Sequence, residues 1–107
     1  MNKYTEMSDL EINKRVFVAA KIEHEDTDLH SNKVFYGDGA NWIEFNPCNN
    51  PSDAMPIINE YGISLIYQDR KFQFATNDGN IECCITNPLK AAMIIFLCVK
   101  DAENEKV

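Results

Sequence analysis

NPLKAAMIIFLCVKDA, residues 87–102, contains the longest apolar run in the chain. Asn87 is a favoured N-cap residue and Pro88 suits the first helical position, so we expect a helix from Pro88 to about Ala102. Apolar residues occupy nearly every side of this helix instead of a single stripe. Such a helix is either largely buried by its own chain or lies at a subunit contact.

The segment before this helix has an apolar period of two, which predicts strands. Asp78-Gly79 is a strong hairpin signal because both residues tolerate a positive φ. Residues 63–85 therefore predict a meander of three antiparallel strands, at 63–67, 72–75 and 81–85.

Further towards the N-terminus, residues 46–62 read NPCNNPSDAMPIINEYG and combine turn and helix signals. The residue before a proline avoids the α region, so the two Asn-Pro pairs predict turns. Ser52 or Asp53 is then expected to cap a short helix that ends before Gly62. With Asp53 as the cap, Pro56 falls in the first turn, where its missing N–H costs no intrahelical hydrogen bond.

The N-terminal part predicts one helix and two short strands. Ser8 and Glu11 have the spacing of a capping box, and helical spacing of apolar residues continues to about Lys21. Asn13 lies on the polar side of this helix. The two short strands are expected at 34–36 and 42–45, and Gly37-Asp38-Gly39 is expected to form the turn between them.

The predicted elements follow the order α-β-β-α-β-β-β-α, which is typical of the α+β class. We expect an antiparallel sheet of three to five strands packed with three helices. The 107 residues suit a single domain, 1–107. Its ends, about 1–7 and 103–107, are expected to be flexible, and about 23–33 to form an exposed acidic loop.

The charge balance and the apolar runs indicate the kind of partner and the compartment. Ten basic residues face seventeen acidic ones, which gives a formal net charge of −7. This charge repels nucleic-acid phosphates and anionic membranes, so a neutral or basic protein partner is favoured. No apolar region near the N-terminus resembles a signal peptide, and the apolar run at 91–99 is too short to span a bilayer. We therefore predict a soluble, cytosolic protein.

The order helix, three strands, helix from Asp53 to Ala102 is shared with double-stranded RNA-binding domains. Those domains contact phosphates across the minor and major grooves, and a basic start of the second helix takes part. Here that start contains a single lysine, Lys90, so nucleic-acid binding is disfavoured.

Residues that could hold a metal or a cofactor are few. His24 and His30 are the only histidines, and no Cys-x-x-Cys motif occurs. Asp26, Asp28 and His30 alternate as ligands of a calcium loop do, but Ser31 occupies the position that requires glycine. No glycine-rich phosphate loop occurs in the sequence. We therefore predict no metal and no cofactor.

Cysteine catalysis requires a thiol activated by a neighbouring base such as histidine. Cys48 is the best candidate nucleophile, since it precedes a predicted helix start, where its pKa could fall. Nothing in the sequence orients a histidine towards it. Cys83 and Cys84 are adjacent, which disfavours a disulfide between them, and Cys98 lies in the apolar run. We therefore predict no catalytic residues.

An aromatic set lies close together in the sequence and consists of Phe35, Tyr36, Trp42 and Phe45. Tryptophan and tyrosine are enriched at interface hot spots, so the set could form a recognition surface. Packing in the core is the favoured interpretation.

Three segments together resemble a known family: SDLEINKRV at 8–16, NPCNNPSDAMPII at 46–58 and NPLKAAMIIFL at 87–97. In this order and spacing they are similar to the phage protein NinX family and to the wider group of phage αβα-sandwich domains. The resemblance implies a small protein encoded by tailed phages or prophages of enteric bacteria. It carries no catalytic residues over, because the family has no established activity.

These observations favour an uncharacterised, phage- or prophage-derived accessory protein that is not an enzyme and that binds a host or phage protein. The alternative is an acidic nucleic-acid mimic that inhibits a host DNA-binding or defence protein, which requires carboxylates aligned on one face. A small enzyme that uses Cys48 is a third hypothesis. The apolar last helix also predicts a homodimer.

Overall fold

The computed structural model describes residues 3–21, 26–28, 33–37, 41–77 and 81–105, with side chains at all of these except 26–28, 104 and 105. The described residues form three helices and six strands, which confirms the α+β class. The helices are α1 (Asp9–Ala19), α2 (Pro51–Tyr61) and α3 (Pro88–Glu105). The strands are β1 (Asp26–Asp28), β2 (Val34–Gly37), β3 (Trp42–Phe45), β4 (Ile63–Gln68), β5 (Lys71–Asn77) and β6 (Ile81–Cys83).

The strands form two antiparallel sheets rather than one. The first sheet has the order β1-β2-β3, and the second has the order β4-β5-β6. β1 lies within the segment predicted as an acidic loop and pairs with β2. Its sequence, Asp-Thr-Asp, has no apolar alternation, but an edge strand is held by backbone hydrogen bonds that need no apolar side chain. The rest of that segment, at 23–25 and 29–32, and the tips of two predicted turns, at 38–40 and 78–80, lie outside the described residues.

Helix α3 forms the centre of the molecule. Every residue from 91 to 97 is buried. The helix contacts α1, α2 and all three strands of the second sheet. The first of the two sequence-based expectations, burial by its own chain, therefore describes α3. The apolar surface of α3 is covered within the chain and therefore no longer supports the expected homodimer. The homodimer stays a prediction.

The described parts of both chain ends contain regular secondary structure. The 3₁₀ turn Lys3–Glu6 lies in the end predicted to be flexible, and it buries the Tyr4 ring. The Tyr4 hydroxyl donates a hydrogen bond to Asp101 Oδ2 at 2.6 Å. Helix α3 continues to Glu105, beyond the predicted end at Ala102. This hydrogen bond, together with the ion pair between Lys3 and Asp101, connects the start of the described chain with the last helix.

The N-terminus of α2 differs from the prediction. Asn50, and neither Ser52 nor Asp53, is the N-cap, and its side chain accepts a hydrogen bond from the backbone N–H of Ser52 at 3.0 Å. Pro51 then occupies the first helical position, which suits its fixed φ and missing donor. The Asp53 carboxylate is used elsewhere, because it accepts the backbone N–H of Asn46 at 2.9 Å.

The earlier start places Pro56 inside α2 instead of in its first turn. The ring at Pro56 supplies no N–H, so the carbonyl of Ser52 lacks its usual intrahelical donor. The prediction was wrong because a proline was assumed to require the first turn. The predicted end is confirmed, since Gly62 follows the helix with φ 62° and ψ 36°, the left-handed conformation that glycine adopts without strain.

The β4–β5 hairpin contains a strained turn that gives a testable prediction. Asp69 and Arg70 connect the strands with φ values of 54° and 67°. Residues with a Cβ lose roughly 1–2 kcal/mol in this left-handed region, and glycine does not. We expect Arg70→Gly to be about 1 kcal/mol more stable than Arg70→Ala, measured by urea unfolding. Both variants remove the same charge, so equal stabilities would contradict the predicted strain.

Candidate functional site

The loop at 46–50 lies against the N-terminal ends of α1 and α3. The backbone N–H of Cys48 donates to Asn13 Oδ1 at 3.1 Å, and its carbonyl accepts from Asn87 Nδ2 at 2.7 Å. Cys48 Sγ lies 3.8 Å from the carbonyl oxygen of Asp9. The loop is therefore tied to both helices by hydrogen bonds from side chains distant in the sequence.

The Cys48 thiol does not have the properties of a catalytic nucleophile. Its side chain is fully buried and belongs to the hydrophobic core. Burial, and secondly the Asp9 carboxylate, raises the pKa of the thiol to about 12. The expectation that the helix start lowers this pKa was wrong, because removal from water disfavours the thiolate more than a helix end favours it. His24 and His30 lie outside the described residues.

Asn13 and the loop asparagines form a connected amide network. Asn13 is buried, and its Nδ2 donates to Asn46 Oδ1 at 2.8 Å. Asn49 Nδ2 donates to the same Asn46 oxygen at 3.1 Å and to Asp9 Oδ2 at 3.1 Å. The sequence placed Asn13 on the polar side of α1, but the loop covers that side. The signal that could have revealed this is the density of asparagines in the loop, which need partners once buried.

Lys90 and Asp9 add an ion pair to the edge of this network. Lys90 Nζ lies 3.0 Å from Asp9 Oδ1 and donates to the carbonyl of Met7 at 2.8 Å. The hydrogen bond from Lys90, followed by that from Asn49, lowers the pKa of the Asp9 carboxyl below its ordinary 3.8. Asp9 also begins α1, where a negative charge is favoured. The only lysine at the start of α3 is therefore used within the chain.

The lowered pKa of Asp9 predicts a pH dependence of stability. A depressed carboxyl pKa stabilises the fold above the unfolded-state value, and that contribution is lost as the pH falls through the folded-state value. At neutral pH we expect Asp9→Asn to be destabilised by about 1 kcal/mol or less, since the carboxylate is partly exposed. The difference from wild type should shrink below about pH 4. Urea unfolding across this range measures it, and a pH-independent difference would contradict the prediction.

Lys90→Met provides the matched background for this test. Without the ammonium group, the main cause of the lowered pKa is absent. Asp9→Asn should then change stability with much less dependence on pH than it does in the wild-type background.

The aromatic set divides between the core and the surface. Tyr36 and Phe45 pack on Phe17 of α1. The ring centroid of Phe17 lies 5.6 Å from that of Tyr36 and 5.4 Å from that of Phe45, so core packing is confirmed for these two. Trp42 is 46% exposed, so core packing was wrong for this residue. Phe35 is half-buried. The division follows from the strand period of two, which places Tyr36 and Phe45 on the face towards α1 and the other two on the opposite face.

Strand β3 exposes two large apolar side chains at the edge of the first sheet. Trp42 is 46% exposed and its neighbour Ile43 is 51% exposed. Only β2 pairs with β3 among the described strands, so one side of β3 has backbone N–H and C=O groups without a strand partner. Exposed apolar edge strands are sites at which another strand can add. We call Trp42, Ile43 and this edge the β3 edge.

Other kinds of site receive little support from the described part of the chain. Among the described side chains, no group of three histidine, cysteine or acidic residues could hold a metal ion. Asp26 and Asp28 lie in β1, and His30 lies outside the described residues. The four cysteines are unbonded: Cys83 is buried, Cys84 is exposed and Cys98 is half-buried. No described helix is both long enough and apolar enough to cross a membrane.

Comparison with known proteins gave one family. A family model described as "Bacteriophage P22, NinX" matches residues 3–100, which include all three segments on which the resemblance was based. No curated protein and no solved structure matched the chain.

Proposed function

The chain belongs to the bacteriophage P22 NinX family and is thus phage-derived, and from this premise we propose that it is an accessory protein that binds another protein of the phage or its host. The proposal places this binding in the cytoplasm of the bacterial host and includes no catalytic step. The observation that carries it is the β3 edge, where Trp42 and Ile43 are both about half exposed on an edge strand.

The β3 edge has the features of a protein-recognition site. Tryptophan is among the residues most enriched at binding hot spots, because it buries a large apolar area when a partner covers it. The free edge of β3 offers backbone donors and acceptors to an added strand. A partner strand would extend the first sheet to the order β1-β2-β3-partner. Affinity would then come from the backbone pairing and from Trp42 together.

The charge of the chain indicates the kind of partner. A formal net charge of −7 accelerates encounter with basic surfaces and slows encounter with acidic ones. The nucleic-acid mimic, the alternative function, requires carboxylates that are free to stand in for phosphates. Of the ten carboxylates whose side chains the structure describes, five form ion pairs with lysine or arginine, those of Asp9, Glu11, Glu44, Asp101 and Glu103. This pairing reduces the number of carboxylates that a mimic could use, so we favour the protein-binding function.

The test is capture of partners with matched exposed aromatic variants. We expect a protein retained from phage-infected host lysate by the wild-type chain to be lost at least about tenfold with Trp42→Ala, as for a hot-spot residue. Tyr67→Ala is the control, because Tyr67 is 54% exposed but lies on β4 of the second sheet. Quantitative mass spectrometry of the retained proteins measures both variants.

Two results would count against this function. One is a partner retained equally by wild type and Trp42→Ala, which would place the binding site elsewhere. The other is the absence of any specifically retained protein across several infected and uninfected lysates.

Light scattering of the free chain tests self-association separately, since a mass near 12.2 kDa at high concentration excludes the expected homodimer.

A further inference from the structure

A cavity of about 290 Å³ lies between the first sheet and α2. It is smaller than most small-molecule sites, which measure roughly 300–1,000 Å³, so its size suits a single long side chain better than a cofactor. Its apolar lining includes Tyr36, Phe45, Pro56 and Ile57, and its carboxylates come from Asp53 and Glu60.

The lining combines two features that attract a cation with an apolar stem. Asp53 and Glu60 are seven residues apart on α2, which places them two turns apart on one side of the helix. Neither forms an ion pair with a described residue, and Asp53 accepts one backbone hydrogen bond from Asn46. The aromatic rings of Tyr36 and Phe45 add an attractive surface for a cation. Lysine and arginine match this lining, because each has an aliphatic stem and a charged end.

The cavity lies on the same face of the first sheet as the side chain of Ile43, which belongs to the β3 edge. Ile43 pairs directly with Tyr36, and directly paired residues lie on the same face. Phe45, two residues after Ile43, lies on that face as well and lines the cavity. A strand added to β3 presents every second side chain to this face. An added strand would therefore present side chains to the face of the sheet on which the cavity lies.

We propose that this cavity receives a lysine or arginine side chain from an extended segment of the partner protein that pairs with β3. The inference rests on the proposed function and specifies the partner: a segment with a basic residue, able to add as a strand. The occupant follows from charge complementarity, since the two carboxylates of the cavity have no ion pair with a described residue and lie beside apolar walls, in a chain of formal net charge −7.

The experiment uses two short acetylated and amidated peptides. One alternates lysine and valine, and the other replaces each lysine by norleucine, which keeps the stem and removes the charge. Trp42 is the only tryptophan, so its fluorescence reports binding at the β3 edge. We expect the lysine peptide to bind at least about tenfold more tightly than the norleucine peptide, and its affinity to fall with added salt.

Variants of the carboxylates identify the cavity as the source of the preference. Glu60→Gln should weaken the lysine peptide about threefold, and Asp53→Asn with Glu60→Gln about tenfold, as expected for exposed ion pairs. Glu82→Gln is the matched control, because Glu82 is exposed on β6 of the second sheet and should leave binding unchanged. Both amide substitutions keep the size of the side chains, and the amide oxygen that Asp53→Asn introduces can still accept the N–H of Asn46.

The outcomes separate this inference from the proposed function. If both peptides bind equally and both change the Trp42 fluorescence, the preference for a basic side chain is wrong, but the β3 edge remains a binding site. If Glu60→Gln and Glu82→Gln weaken binding of the lysine peptide equally, the effect is one of general charge, and the cavity is not the binding site of the lysine. No Trp42 response to either peptide would overturn strand addition, whereas the lysate test of Trp42→Ala would still decide whether the edge binds a protein.

Discussion

Phe96→Ala is expected to lower the free energy of unfolding by about 4 kcal/mol, the largest effect predicted for a single side chain in this protein. Phe96 is fully buried in the middle of α3, and its ring centroid lies 4.9 Å from that of Tyr61 in an edge-to-face contact. Removal of the ring leaves a cavity at the point where α3 meets α2. Urea unfolding followed by circular dichroism measures the effect.

Val18→Ala is the control for this prediction. Val18 is 65% exposed on α1, so its truncation should change the free energy of unfolding by no more than about 0.5 kcal/mol. A loss below about 1.5 kcal/mol for Phe96→Ala would mean that the surroundings collapse into the cavity. That result would contradict a core centred on a rigid α3.

Asn13→Ala is expected to lower the free energy of unfolding by about 3 kcal/mol, although Asn13 is polar and lies in a helix. The substitution removes the partner of the Cys48 N–H and the donor to Asn46 Oδ1. Groups that lose their partners away from water cost about 1–3 kcal/mol each. The loop at 46–50 should loosen as well, so alkylation of Cys48, located by mass spectrometry, should become faster.

Asn49→Ala tests whether any amide of the network would give the same result. Asn49 is exposed, and water can replace its hydrogen bonds to Asp9 and Asn46. We expect a loss of about 1 kcal/mol or less and little change in the alkylation of Cys48. Equal losses for Asn13→Ala and Asn49→Ala would show that burial does not set the importance of these amides.

The amide network and the β3 edge show two different uses of polar and apolar residues in this chain. In the network, polar side chains are buried and satisfied, so they fix one loop against two helices. At the β3 edge, large apolar side chains remain exposed. Core packing explains stability but not the exposed apolar side chains, which in the described residues also include Val18, Met55, Ile66 and Tyr67. Trp42 and Ile43 are distinguished by containing the tryptophan, the residue type most typical of binding hot spots, at a sheet edge. For this reason the proposed function depends on β3 and not on Cys48.

Several elements could be predicted because their signals are local. Ser8 accepts the N–H of Glu11 as the capping box indicates. Asn87 accepts the N–H groups of Leu89 and Lys90 at the start of α3. The period of two correctly located all three strands of the second sheet, with ends that differ by up to two residues. Each of these signals acts between residues that are at most four positions apart.

The candidate site could be predicted only in part. The sequence drew attention to the aromatic set but could not separate Trp42 from Tyr36 and Phe45. Their burial depends on which face of the first sheet α1 covers, and Phe17 makes that contact from a distant part of the chain. Asp53 was predicted only as a helix cap, and Glu60 gave no signal, because carboxylates are common in an acidic chain.

Local sequence signals were enough to predict where the helices and most strands lie, where α3 begins, and that α3 is apolar on nearly all sides. These properties depend on backbone preferences and on hydrogen bonds between near neighbours. The folded structure was needed to show that Asn13 and Cys48 are buried together, that Trp42 is exposed, and that the strands divide into two sheets. Burial depends on contacts between residues far apart in the chain, such as the hydrogen bond between Asn13 and Cys48, which are 35 positions apart. Local sequence patterns do not predict such contacts.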